Sequence, residues 1–92
     1  MKLNSGKVLV VDDEPFMVGL IQIVLERDGY SMVRAANGGE AVELARKDPP
    51  CLIIMDAMMP KVDGMTALRM LKSDASTRGI PVVLLTANPN KF

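Results

Sequence analysis

The sequence predicts an α/β fold built on an open parallel sheet. Two observations carry that prediction. Short apolar runs recur at Val8-Leu9-Val10-Val11, Cys51-Leu52-Ile53-Ile54-Met55 and Pro81-Val82-Val83-Leu84-Leu85. Such runs, rich in β-branched residues, mark strands covered on both faces. Segments with helical spacing of apolar residues lie between them, and strand-helix alternation implies parallel pairing with right-handed crossovers.

The first strand stops at Asp12-Asp13-Glu14-Pro15. Asp13 or Glu14 can cap a helix there, and Pro15 suits a first turn. From Phe16 the apolar positions Met17, Leu20, Ile21, Val24 and Leu25 follow helical spacing. Arg27 falls in the last turn, and Gly29 suits the position just past the end. Met32 to Ala36 reads as a weaker second strand. Asn37-Gly38-Gly39-Glu40 resembles a capping box, and Ala41, Val42, Leu44 and Ala45 give the next helix one apolar face, ended by Pro49-Pro50. The third strand ends at Asp56. Asp63 can cap a helix carrying Met65, Leu68 and Leu71, and Ser73 to Gly79 is a polar connection. The fourth strand ends at Thr86-Ala87, and the polar segment Asn88 to Phe92 adds no element.

Composition narrows the chemistry. The 92 residues suffice for one small domain spanning 1–92. Eleven basic and eleven acidic side chains cancel, which leaves no electrostatic footprint for nucleic acid or an anionic membrane. No apolar run reaches membrane-spanning length. There is no histidine and one cysteine, Cys51. Histidine-based triads, cysteine metal cages and internal disulfides are therefore excluded. A reduced, cytoplasmic domain is expected, with chemistry drawn from carboxylates, lysines, hydroxyls and backbone.

In open parallel sheets ligands bind outside the carboxyl ends of the strands, where strand order reverses. A lone Asp-Asp pair or strand-end Asp is ordinarily a solvated turn. Here strand one ends in Asp12-Asp13 and strand three in Asp56, so a 2-1-3-4 order brings three carboxylates into one crevice. Their mutual repulsion is relieved by a hard divalent cation, and an oxygen-only donor set favours Mg2+. Such a site suits phosphoryl chemistry, with a carboxylate as nucleophile.

These residues resemble a known family. Val8 to Glu14, Met55-Asp56-Ala57-Met58-Met59-Pro60-Lys61-Val62-Asp63-Gly64 and Pro81 to Ala87 are similar to the receiver domain of bacterial two-component response regulators, a flavodoxin-like fold. The similarity runs from Lys7 to Ala87. It implies that Asp56 is the phospho-acceptor, taking a phosphoryl group from the phosphohistidine of a sensor histidine kinase or phosphotransfer protein. It implies that Asp13 ligates Mg2+ directly, that Asp12 assists through water, and that the Met58 carbonyl completes the protein's share of the metal shell. Thr86 is implied as the hydroxyl that turns toward the phosphoryl group, with the small Ala87 leaving room beside it. Pro60 and Asp63-Gly64 shape the loop.

The sequence departs from the family after strand four. The family's fifth strand, with its lysine, and its last two helices have no counterpart before Phe92, and Lys91 does not substitute for that lysine. The expectation is a truncated receiver, and the alternative is a receiver-like interaction module that no longer signals. A haloacid-dehalogenase-like phosphatase wants a second acid two residues past the nucleophile, where Met58 stands. Dinucleotide binding wants a Gly-rich turn where Asp12-Asp13-Glu14 stands. Without further elements, the helix from Phe16 to Arg27 covers one sheet face alone. Strand four becomes an uncharged edge, so self-association through strand four is expected.

Overall fold

The computed structural model describes residues 6–57 and 64–85. Four parallel strands, β1 (Lys7–Val11), β2 (Ser31–Ala35), β3 (Leu52–Asp56) and β4 (Val82–Leu85), lie in the order β2-β1-β3-β4. Helices α1 (Pro15–Arg27), α2 (Gly38–Lys47) and α3 (Gly64–Ser73) connect them. The sequence-derived order is the observed one. Strand boundaries move by one residue: Cys51 precedes β3, where its thiol donates to the Lys7 carbonyl at 3.0 Å, and Asp56 is the last residue of β3.

The helix ends follow the local chemistry. Glu14 caps α1, its carboxylate accepting from the Phe16 N–H, and Pro15 occupies the first turn. At the other end Gly29 takes φ of 87°, which a residue with a Cβ rarely adopts. Tyr30 N–H then donates to the Leu25 carbonyl and Gly29 N–H to the Glu26 carbonyl, a Schellman closure. Asn37 caps α2 by accepting from the Glu40 N–H at 2.9 Å.

Alternation along the strands divides the interior in two. Leu9, Val11, Ile53 and Met55 point toward α2 and α3 and pack with Ala41, Val42, Ala45, Ala67, Leu71 and Ile80. Val8 and Val10 point the other way, toward Val18, with Ile21, Leu25, Met32 and Ile54 beside them. The first cluster is closed by two helices, the second by α1 alone among the described residues. Burial of the large side chains of both clusters drives the fold.

The polar connection after α3 is more ordered than its composition suggests. Thr77 is buried, and its hydroxyl donates to the Leu71 carbonyl at 2.6 Å. Asp74 holds the turn by accepting from the Ser76 N–H and hydroxyl and from Arg46 Nε. Lys72 Nζ donates to the carbonyls of Arg78 and Ile80.

Candidate functional site

Parallel strands put their carboxyl ends on one side, so β1 and β3, paired through Val11↔Met55, release Asp12 and Asp56 side by side. Asp12, Asp13 and Asp56 each bring one carboxylate oxygen to within 4.8 Å of the others. Asp12 is buried, Asp56 half-buried and Asp13 exposed, so the cluster runs from the sheet end out to solvent.

Asp12 is held on both sides. Its backbone N–H donates to the Ala35 carbonyl at 3.1 Å, extending the β1–β2 ladder by one rung. Its Oδ1 accepts from the Glu14 N–H at 2.9 Å, which closes the turn into α1. Burial pushes its carboxyl above the ordinary carboxylate range; the Glu14 N–H opposes this, and the charges of Asp56, Asp13 and Glu14 add to it.

One supporting residue was not singled out from sequence, and a second acts more closely on the site than the sequence reading had it. Arg34, on β2, donates from Nη2 to the Asp12 carbonyl at 3.4 Å. No sequence signal marks this pair, because its acceptor is a backbone carbonyl. Gly64, read as a shaping residue of the loop, begins α3 against the end of β3. A Cβ there would stand 2.6 Å from Ala57 Cα and 2.7 Å from the Asp56 carbonyl oxygen. Absence of a side chain lets the helix approach this closely. Beyond Asp56, Ala57 N–H donates to the Leu85 carbonyl at 2.8 Å and ties the site to β4. Met58, Pro60, Asp63, Thr86, Ala87 and Lys91 lie outside the described residues, as does the expected Asp63 cap of α3.

The arrangement is a carboxylate crevice at the switch point of an open parallel sheet, between β1 and β3. Three close acids, with no nitrogen or sulfur donor in the group among the described residues, fit a hard cation. Comparison with known proteins agrees with that class. The family model described as the response regulator receiver domain matches residues 8–92. The chain belongs to this family, the signalling modules of two-component systems. Protein PilH of Pseudomonas aeruginosa is 40% identical over 81 residues, covering 88% of this chain and 67% of that protein. The alkaline phosphatase synthesis transcriptional regulatory protein PhoP of Bacillus subtilis is 41% identical over 88 residues, 96% of this chain. The chain spans only 36% of that relative's length.

Solved structures agree on the fold. The N-terminal domain of a response regulator receiver protein from Methanoculleus marisnigri superposes with a TM-score of 0.86 at 43% identity, covering 90% of this chain and 68% of that one. The receiver domain of sensor histidine kinase PA1611 from Pseudomonas aeruginosa gives 0.85 at 33% identity, covering 89% and 67%, and holds a magnesium ion in its active-site cleft.

Proposed function

We propose that this chain is a phospho-accepting receiver module in which Asp56 is the acceptor and Asp12 and Asp13 form the acidic side of a Mg2+ site. The convergence of the three carboxylates at the ends of β1 and β3 is the observation that supports it. An Asp56 carboxylate oxygen attacks the phosphorus of a phosphohistidine. The P–N bond breaks, the imidazole leaves and takes up a proton, and an aspartyl phosphate remains. Mg2+, when bound, offsets the crowded negative charge of carboxylates and phosphoryl oxygens. Asp13, exposed at the rim, would ligate it; Asp12, already accepting from Glu14, orients the turn and would assist the ion through water, as the family resemblance implies. The family resemblance adds the Met58 carbonyl to the metal shell and Thr86 as the hydroxyl facing the phosphoryl group.

The donor is a sensor histidine kinase or phosphotransfer protein, and the module accepts phosphate instead of turning over a substrate. A cytoplasmic setting suits that donor. Among the described residues no helix is long and apolar enough to cross a membrane. The module also self-associates through the face that contains strand four. That face favours a second reading, an interaction module that keeps the fold without signalling.

One assay separates the two readings. Incubation with Mg2+ and a small acyl phosphate, followed by mass spectrometry, yields a phosphate adduct on Asp56 if the first is right. An unmodified chain, or an adduct surviving in Asp56→Asn, rejects it.

A further inference from the structure

The two neighbouring acids at the end of β1 are not equally held. Asp12 is fixed at its N–H by the Ala35 carbonyl and at its carboxylate by the Glu14 N–H. Asp13 is exposed, and its side chain makes no hydrogen bond or ion pair among the described residues. Its carboxylate is therefore placed by the backbone before it, the Asp12–Asp13 peptide.

The carbonyl of that peptide belongs to Asp12 and lies just past the β1–β2 ladder, whose last rung is Asp12 N–H on Ala35. In a parallel ladder the following rung would bring it the N–H of Asn37. Asn37 instead turns into the cap of α2. Among the described residues the one donor to the Asp12 carbonyl is Arg34, from Nη2 at 3.4 Å. That length is near the limit for such a bond, and the charge of the guanidinium strengthens what distance weakens.

A cation at position 34 is also out of pattern. The other described lysines and arginines stand at the start of β1, in the later half of a helix or in the connection after α3. In a parallel α/β fold all those places lie toward the opposite end of the sheet. Arg34, opposite Val10 in the register, stands at the end that carries Asp12, Asp13, Glu14 and Asp56.

We propose that Arg34 is a positioning residue for the metal. By holding the Asp12 carbonyl it fixes the tilt of the Asp12–Asp13 peptide, and with it the aim of the Asp13 carboxylate. This role rests on the Mg2+ site proposed above. Arg34 acts through the backbone and touches neither the ion nor a phosphoryl group. Its charge has a second, opposite effect, since through space it repels a cation. Salt separates the two: in about 0.5 M KCl the screening length falls to roughly 4 Å, so the repulsion fades while the bonded contact persists.

Thermal melts over a Mg2+ series in that salt give a dissociation constant, with each variant's melt in chelator as its own baseline. Arg34→Met keeps an unbranched stem and loses the donor. It should bind Mg2+ about tenfold more weakly than the native chain, the lower range for loss of an outer-shell partner. Arg34→Lys restores a charged donor and should recover most of that loss. A merely structural residue would lower the chelator baseline of Arg34→Met and leave its Mg2+ dependence unmoved, which overturns the role. Tighter binding by Arg34→Met overturns it too, because repulsion through space would then be all that Arg34 supplies. Equal weakness of Arg34→Lys and Arg34→Met overturns the donor contact as the cause. A native chain indifferent to Mg2+ overturns the metal site and this role together, whereas a native response with Arg34→Met unchanged overturns this role alone.

Discussion

Gly64 and Ala57 meet backbone to backbone, with 2.6 Å between the Gly64 Cβ position and Ala57 Cα. Neither partner is the far end of a flexible side chain, so nothing can swing aside. The start of α3 is thereby pressed onto the residue that follows Asp56. Gly64→Ala should cost about 1–3 kcal/mol, the range of overpacked sites, and should displace the end of β3. Urea unfolding checks the stability, and acyl phosphate labelling of Asp56 should slow in the same variant. A fully stable variant would show that α3 retreats freely.

Mg2+ should stabilise the native chain, because ligands gathered by β1 and β3 are scattered in the unfolded one. At ten times its dissociation constant the ion adds about 1.4 kcal/mol, and each kcal/mol shifts the melting temperature by roughly 4–8 °C in a domain of this size. Asp13→Asn should remove most of that increment in a thermal melt. Equal responses of the two proteins would move the metal away from Asp13.

Acid should act on two carboxylates with opposite sign. Burial raises the Asp12 carboxyl, so between its unfolded and folded values the native state binds more protons than the unfolded one. This group's contribution to stability therefore falls as pH rises through that window. Asp12→Asn should accordingly raise the melting temperature at neutral pH in chelator.

Asp74 behaves in the opposite way. Its hydrogen bonds from Ser76, with help from Arg46, hold its carboxyl below the ordinary range. Its stabilisation is present above the unfolded carboxylate value and is lost as pH falls through the folded one. Asp74→Asn should lower stability slightly at neutral pH and flatten the acid limb of a melting-temperature profile.

Asn37→Ala should cost about 1 kcal/mol in urea unfolding, since the Glu40 N–H loses its side-chain acceptor. Asn37→Asp should retain the cap and the stability.

The sheet was legible because its two central strands carry their own signature. Val8 to Val11 and Leu52 to Met55 are apolar on both faces, which only a parallel sheet covered by helices accommodates. The acids were legible because they terminate those runs, and parallel pairing fixes which end they share. Gly29 and Asn37 also spoke locally, through left-handed backbone and cap chemistry. Thr77 did not. Its burial depends on the turn that Asp74 and Ser76 build beneath α3, and a polar residue in a polar stretch gives no hint of that. Arg34 was silent for a similar reason: its partner is a backbone carbonyl 22 positions away, and carbonyls leave no trace in a sequence. The tightness at Gly64 is likewise a property of two elements together.

The rung between Ala57 and Leu85 places Asp56 one strand from the edge of the sheet that the described residues form. Ala57 N–H exchanges with solvent only when that rung opens, so its deuterium uptake is a clock for the fraying of β4. A molecule that settles against β4 slows this clock at the residue adjoining Asp56 without touching the carboxylate. The amide of Ala57 is thus a built-in reporter on whatever occupies the edge.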